Sequence, residues 1–332
     1  MADVHRIFGN ELSPYSVKVR SYFRYKEIPH EWIVRSAQNE EEFRQHAKLP
    51  LIPLVIAPEG SSLQDSTPII EHYERRVPEP ALAPADPVLA FLSALVEEYA
   101  DEWGNKPMFH YRWTYAPDQE ASADRLARSM SPGLDDEAYA NIRAVVKERM
   151  IPRLAFVGSS AATRAQIEGS YLRLLTILEK HLAKRRYLFG GRPSLGDFGL
   201  AGQLYECSID PTPGQVLRER APNVLAWIGR MLEPTNDGPF ETWDSLHATL
   251  LPLLSEEIGK VFFPWSLANA QALAAGEPKF TLTLDGAPFT QDTQKYHAKS
   301  LAALRARYAA VADRSMLDPI LERAGCLAPL RS

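Results

Sequence analysis

A proline-rich segment divides this sequence into two parts with different patterns. Residues 78–87 read PEPALAPADP, and four of the ten are proline: Pro78, Pro80, Pro84 and Pro87. Proline cannot continue a helix and stiffens an extended chain, so we expect a linker here. The 332 residues are also about twice the ~150 that serve as a prior for one domain. The sequence therefore predicts domains at 1–77 and 88–244, a linker at 78–87, and a further extension at 245–332.

Strand and helix patterns alternate before the linker. Short apolar or period-2 runs predict strands, and runs with helical spacing predict the helices between them. The predicted order is strand His5–Gly9, helix Pro14–Lys26, a strand around Trp32 and Val34, helix Asn39–Lys48, strands Pro53–Ile56 and Ser62–Asp65, and helix Pro68–Val77. Such alternation is typical of an α/β domain.

The pattern after the linker is mostly helical. Helical spacing predicts helices at Val88–Trp103, roughly Asp136–Val157, Ala165–Lys184, Leu195–Ile209, Pro222–Leu232, about Ser245–Ala275, and Gln294–Ala312. The late segment KFTLTLDGAPFT alternates apolar residues with threonines and turns on Asp285-Gly286, which predicts a β-hairpin. Residues 104–135 form a longer connection than two helices need. We therefore expect an α/β domain, an all-α domain, and an extension with a late β-hairpin and helices.

Composition excludes several classes of function. The chain has 37 basic and 42 acidic residues, a net charge of −5, so it lacks the basic character of a nucleic-acid-binding protein. Its two cysteines, Cys207 and Cys326, cannot form a disulfide framework, which fits a reducing compartment. The histidines are scattered, and we expect no metal site. No apolar run approaches the ~20 residues of a membrane span, and the N-terminus does not resemble a secretion signal, so we expect a cytoplasmic protein.

The glycine-rich stretch FGGRPSLGDFGLAG has the glycine spacing of a phosphate-binding loop. Asp197, however, stands where such a loop needs a lysine, and a carboxylate there would repel a phosphate. Ser194 and Asp197 instead have the spacing of a capping box that begins a helix. Gly199 and Gly202 then allow this helix to pack closely against a neighbour. The stretch therefore predicts a folding role.

Three short features in the first domain each have a structural and a functional interpretation. Ser13 before Pro14 is typical of a helix N-cap, and its hydroxyl can cap the helix while donating a hydrogen bond to a bound thiolate. Pro53 follows Ile52 at the start of a strand, where an X-Pro bond is ordinarily trans. Asp65 and Ser66 lead into a helix, whose first N–H groups can cap locally or bind an anion.

The order and spacing of these features over residues 4–235 resemble the glutathione S-transferase superfamily. The matching residues are Ser13, Ile52-Pro53, Asp65-Ser66 and the Ser194/Asp197 capping box. The resemblance implies a thioredoxin-like first domain that binds glutathione as co-substrate, with a cis-proline before its third strand. Serine at position 13 is similar to the serine-type classes, with Tyr15 as a rival hydroxyl donor. Leu51 stands where many members have a basic residue, and 245–332 extends past the usual end of the fold.

The implied mechanism is activation of the glutathione thiol for attack on an electrophile. A hydrogen bond to the thiolate contributes roughly 1.5–3 kcal/mol and a helix N-terminus about 0.3–1 kcal/mol. Together these lower a thiol pKa of ~8.5 by roughly 1.5–3 units, with no metal and no general base. Ile52, Pro53, Asp65 and Ser66 would bind glutathione. The alternatives are a non-catalytic binding or scaffold protein of the same fold and a glutathione-dependent reductase, isomerase or lyase; a homodimer is compatible with each.

A cluster of aromatic residues follows the first helix after the linker. Between Met108 and Tyr115 the chain carries Phe109, Tyr111 and Trp113. Aromatic residues this dense are often core, yet helical spacing divides them between two faces, one of which could line an apolar pocket. Together with Tyr15, we expect Tyr111 and Trp113 to contact an apolar electrophile, unless both are core residues.

Overall fold

The computed structural model describes residues 4–331. Its N-terminal part is a small mixed sheet with three helices, in the predicted order. The elements are β1 His5–Gly9, α1 Pro14–Tyr25, β2 His30–Val34, α2 Glu40–His46, β3 Leu54–Ile56, β4 Ser62–Gln64 and α3 Ser66–Arg76. Residues 77–86, which include most of the proline-rich segment, are irregular.

The four strands lie in the order β2-β1-β3-β4, with β1 parallel to β2 and the other two pairs antiparallel. Ile7 of β1 pairs with Trp32 on one side and Val55 on the other. Ile7 and Val55 point into a core shared with α1 and α3, whereas Phe8 packs on the other face against Phe43 of α2. Alternation along β1 thus buries both faces of the sheet, as in a thioredoxin-like α/β domain.

The part that follows is helical. Its helices are α4 Pro87–Glu102, α5 Asn105–Thr114, α6 Ala116–Met130, α7 Asp136–Met150, a 3₁₀ helix Ile151–Val157, α8 Arg164–Leu182, α9 Leu195–Ile209, α10 Pro211–Arg220 and α11 Pro222–Leu232. Residues 104–135, expected to be a long connection, contain the whole of α5 and α6. Their pattern is weak because α6 has few large apolar residues and buries mainly small ones, such as Ala123 and Ala127.

Helix α9 lies at the centre of the helical part and begins as the sequence predicts. The Asp197 carboxylate accepts hydrogen bonds from the Ser194 backbone N–H at 2.9 Å and from the Trp227 indole at 3.0 Å. Burial raises the pKa of Asp197 to about 6. A Cβ at Gly202 would lie 2.6 Å from the Pro14 carbonyl oxygen, so glycine is needed where α9 crosses α1. The glycine-rich stretch thus serves close packing between the sheet part and the helical part.

The extension folds onto the helical part as one continuous helical run, a hairpin and three further helices. The elements are α12 Trp243–Pro252, a π-helix Leu253–Phe262, α13 Phe263–Ala274, β5 Lys279–Leu284, β6 Ala287–Asp292, α14 Lys295–Ala310, α15 Leu317–Arg323 and α16 Leu327–Arg331. The hairpin turns at Asp285 and Gly286, both at positive φ, as the sequence predicts. Within residues 4–331, no helix is both long and apolar enough to cross a lipid bilayer.

Candidate functional site

A cleft of about 520 Å³ opens where the strand ends of the sheet part face the C-terminal end of α4. The described residues that line it come from the end of α2, the α2–β3 loop, β4, the β4–α3 turn, α1, α4 and α14. They are Tyr15, His46, Lys48, Leu49, Leu51, Ile52, Pro53, Ser62, Leu63, Gln64, Asp65, Ser66, Asp101, Glu102 and Tyr296. The structure therefore brings Tyr15, Ile52, Pro53, Asp65 and Ser66, all singled out from the sequence, to one cleft.

The β4–α3 turn forms one end of the cleft. Asp65 is exposed, occupies the N-cap position of α3, and has a φ of 76°, a conformation that costs a non-glycine residue about 1–3 kcal/mol. Its side chain makes no capping hydrogen bond, so the carboxylate does not occupy the N–H groups of its own helix. Ser66 is buried at the first helical position. The turn thus presents a carboxylate beside the N–H groups of a helix start.

The loop before β3 forms the adjoining part of the rim, because Leu54 at the start of β3 pairs with Gln64 at the end of β4. The Ile52–Pro53 peptide bond is cis, the isomer that the resemblance implies. The Gln64 amide holds this loop: its Oε1 accepts from the Lys48 and Leu49 N–H groups at 2.8 and 3.0 Å, and its Nε2 donates to the Leu51 carbonyl at 2.7 Å. Leu51 is 60% exposed, while the amino group of Lys48 provides a cation on the same rim. One side chain of β4 therefore fixes the backbone of the rim.

Ser13 is the N-cap of α1, as the sequence predicts. Its Oγ accepts hydrogen bonds from the Ser16 N–H at 3.3 Å and from the Ser16 hydroxyl at 2.9 Å. Because Ser13 is the acceptor in both contacts, they leave its own hydroxyl proton free for another acceptor. Ser13 is half-buried but does not belong to the described residues that line the cleft, which reaches α1 at Tyr15.

The Tyr15 hydroxyl already has partners inside the protein. It donates to the Asp101 carbonyl oxygen at 2.9 Å and accepts from the Asn105 side-chain amide at 3.2 Å. Burial and the neighbouring Asp101 charge raise the pKa of Tyr15 well above its usual range. The phenol is therefore protonated, and its proton is committed to a backbone carbonyl, while the residue still lines the cleft.

The wall contributed by α4 carries two carboxylates, those of Asp101 and Glu102, that the sequence patterns did not single out. The Lys18 amino group, almost fully buried, lies 2.6 Å from a carboxylate oxygen of Asp101 and 2.6 Å from one of Glu97. Burial raises the pKa of both Asp101 and Glu102. Glu97, Asp101 and Glu102 lie on α4, and in the sequence their spacing resembles the solvent-exposed face of an amphipathic helix. Only the docking of α1 and α14 makes this face a buried wall.

Tyr111 and Trp113 are core residues and do not line the cleft, which corrects the expected electrophile pocket. Tyr111 is 4% exposed and stacks on Tyr115 with ring centroids 5.8 Å apart. Trp113 is 1% exposed and packs in a separate cluster with Ala123 and Val146 of α6 and α7. The helix α6, not foreseen from the sequence, covers the face that was expected to be open. Of the three residues expected to contact the electrophile, Tyr15 alone lies at the cleft.

Tyr296 is another cleft residue without a signal in the sequence. It lies in the first turn of α14, and 231 positions separate it from Asp65, which its hydroxyl contacts. No local pattern can report a contact over such a separation. Over residues 4–331, no group of three or more His, Cys, Asp or Glu side chains is placed to hold a metal ion.

Two family models match the chain, and similar solved structures exist. The model of the glutathione S-transferase N-terminal domain matches residues 7–81, and that of the C-terminal domain matches residues 161–230. A Methylobacterium radiotolerans glutathione S-transferase, solved with glutathione sulfonate, is 21% identical, with 72% of this chain and 96% of that chain covered and a TM-score of 0.45. A Phanerochaete chrysosporium glutathione transferase is 14% identical, with 70% and 98% covered and a TM-score of 0.49. No match was found among curated proteins.

The N-terminal match covers the part of the fold that supplies most of the described cleft lining, whereas the C-terminal match contains none of those lining residues. The N-terminal match begins within β1 and extends past α3, including Pro53, Asp65 and Ser66, and the C-terminal match contains α9 with its Asp197 cap. Residues 82–160 and 231–332 lie outside both matches. Residues 7–81 are therefore identified as a glutathione S-transferase N-terminal domain, and residues 161–230 as part of a glutathione S-transferase C-terminal domain.

Proposed function

We propose that this protein is a glutathione transferase that binds glutathione in the cleft and activates its thiol for attack on an electrophile. The observation that carries the proposal is the meeting of Pro53, Asp65 and Ser66 at one cleft, which is about 520 Å³ in volume. A cavity of this size suits a ligand of several hundred daltons, since small-molecule sites span about 300–1,000 Å³. Along the chain, these residues lie on separate segments of the sheet part, before β3 and after β4.

The γ-glutamyl end of glutathione would bind at the β4–α3 turn. Its ammonium group would pair with the exposed Asp65 carboxylate, and its carboxylate would accept from the first N–H groups of α3 around Ser66. Backbone groups near Pro53 and Ile52 would bind the cysteinyl part. Lys48 supplies a cation on the rim for the glycine carboxylate, in place of the apolar Leu51.

Ser13 would stabilise the thiolate. Its free hydroxyl proton can be donated to sulfur, and the N-terminus of α1 adds a favourable dipole. Tyr15 is the weaker donor because its proton is already donated to the Asp101 carbonyl oxygen. The electrophile would enter along Tyr15 and the exposed leucines of the rim, which favours an apolar compound.

A glutathione-binding protein without transferase activity is the second candidate. It is favoured by one observation: Ser13 lies outside the described lining of the cleft. If the Ser13 hydroxyl does not reach the sulfur, glutathione would bind without becoming a thiolate. A cytoplasmic location and a homodimer fit either candidate and belong to this proposal.

Retention on immobilised glutathione followed by a conjugation assay tests the two candidates. We expect the protein to stay on the resin, to elute with free glutathione, and to conjugate an activated aryl chloride in proportion to enzyme concentration. Retention without conjugation would favour the binding protein. Passage through the column without retention, together with no conjugation, would contradict both.

A further inference from the structure

Tyr296 brings the extension to the cleft. It stands in the first turn of α14, outside both regions that match the family models. Although 58% exposed, it lines the cleft, and its hydroxyl donates to Asp65 Oδ2 at 3.3 Å. A tyrosine of the extension thus contacts the carboxylate to which we assign the γ-glutamyl ammonium.

Contacts on both sides of Tyr296 hold the start of α14, so the position of Tyr296 at the cleft is fixed by the fold. The Asn269 side chain of α13 accepts from the Gln294 N–H at 2.8 Å and donates to the Gln294 carbonyl at 3.0 Å. His297, next to Tyr296, hydrogen-bonds with Glu102 and packs edge-on against Trp265 with ring centroids 4.7 Å apart. These contacts fix the backbone on both sides of Tyr296.

We propose that Tyr296, a residue of the extension, binds glutathione. Its hydroxyl orients Asp65, and its ring covers the γ-glutamyl end of the ligand. This inference rests on the proposed function. Each carboxylate oxygen has two lone-pair sites, so Asp65 can accept from the phenol and still accept from an ammonium group. The ring adds an electron-rich face to which an ammonium within about 6 Å is attracted.

The hydroxyl of Tyr296 is a reliable donor in this position. Burial of the phenol on the cleft side and the nearby Asp65 and Glu102 charges raise the pKa of Tyr296 above its ordinary value. The phenol therefore keeps its proton throughout the pH range in which glutathione would bind. It also cannot repel the γ-glutamyl carboxylate, which a second anionic group at this place would do.

Calorimetric titration of the full-length protein with two probes, glutathione and S-hexylglutathione, tests the inference. We expect Tyr296→Ala to weaken both by about tenfold and Tyr296→Phe by about threefold, because the contact lies at the end that both probes share. Met316→Ala, at a residue of the extension that is 67% exposed and does not line the cleft, should change neither affinity. Thermal melting checks that each variant is folded.

A double-mutant cycle with Asp65→Asn makes the test specific. In the Asp65→Asn background, Tyr296→Phe should change glutathione affinity less than twofold, since the charged partner is gone. Equal glutathione affinity in wild type and Tyr296→Ala would overturn the inference and leave the proposed function intact. A loss confined to S-hexylglutathione would also overturn it, because Tyr296 would then contact the sulfur substituent. Failure of the wild type to bind either probe would overturn the proposed function and this inference together.

Discussion

Ser13 and Tyr15 lie two positions apart at the start of α1 and differ in what their hydroxyl groups can still do. Ser13 Oγ accepts both of its hydrogen bonds from Ser16, whereas the Tyr15 hydroxyl donates to the Asp101 carbonyl oxygen. A thiolate needs a donor, and Ser13 is the one with a proton to give. Sequence spacing left both residues open as donors, and the hydrogen bonds now favour Ser13.

Replacing each hydroxyl in turn tests this assignment. We expect Ser13→Ala to remove most conjugating activity while costing about 1 kcal/mol of stability, the usual loss of an N-cap. Tyr15→Phe should keep most of the activity, because it removes only a hydroxyl whose proton is already used. Steady-state rates and urea unfolding of both variants are the measurements. An inactive Tyr15→Phe beside an active Ser13→Ala would reverse the roles.

Asp65 has a strained backbone conformation at the cleft, which leads to a second prediction. At a φ of 76°, glycine is unstrained, so Asp65→Gly should raise the free energy of unfolding by about 1 kcal/mol. The same change removes the carboxylate and should weaken glutathione binding about tenfold or more. Asp65→Ala is the matched control: it should lose the same affinity without the gain in stability. Unchanged affinity in both variants would remove Asp65 from the site.

A buried carboxylate on the π-helix of the extension bonds with two helices of the helical part. Glu257 accepts from Tyr99 of α4 at 2.9 Å and from the Arg173 guanidinium of α8 at 2.8 Å, and also from Ser170. Burial raises the pKa of Glu257 to about 7. The folded protein therefore holds a proton at Glu257 that the unfolded chain has already released between about pH 4.5 and 7.

This pKa predicts how stability depends on pH. As pH rises from about 4.5 to 7, Glu257 should lower the free energy of unfolding by about 1–3 kcal/mol, with no further change above 7. Glu257→Gln, which cannot ionise, should reduce the loss of stability over this window relative to wild type. Glu256→Gln, at the neighbouring and more exposed carboxylate, should follow the wild-type curve. Parallel curves for wild type and Glu257→Gln would contradict the assignment.

Elements whose signal lies in neighbouring residues could be predicted from the sequence. Elements that depend on packing against distant residues could not. The hairpin around Asp285-Gly286 and the start of α9 at Ser194 were predicted because turn and capping residues act within a few positions. Helix α6 was not foreseen, because the residues it buries are two alanines, a serine and an aspartate, which give no clear apolar stripe. Its presence is also why Trp113 is core.

At the scale of the whole molecule, a buried charge cluster joins the sheet part to the helical part beside the cleft. The Lys18 amino group of α1 bonds with Glu97 and Asp101 of α4 and donates to Thr67 of α3 at 3.1 Å. The single Lys18 cation therefore links three helices, α1, α3 and α4. No local pattern in the sequence indicates this cluster, because its members lie up to 83 positions apart.

Removing that cation should destabilise the protein strongly. Lys18→Met leaves the Glu97 and Asp101 carboxylates buried without a positive partner, which typically costs about 3–5 kcal/mol. Lys260→Met, which breaks an exposed pair with Glu256, should cost less than about 1 kcal/mol. Chemical unfolding of both variants measures the difference. A cost for Lys18→Met as small as that for Lys260→Met would show that the cluster does not hold the two parts together.

The central claim is that the cleft binds glutathione and stabilises its thiolate, and a pH titration of the bound thiol tests it most directly. The ultraviolet absorbance of the thiolate is followed in the complex of glutathione with the protein, and again with Ser13→Ala. The account predicts a bound-thiol pKa about 1.5–3 units below the reference value of ~8.5, restored towards that value in Ser13→Ala. A bound-thiol pKa at or above ~8.5 in the wild type would contradict it.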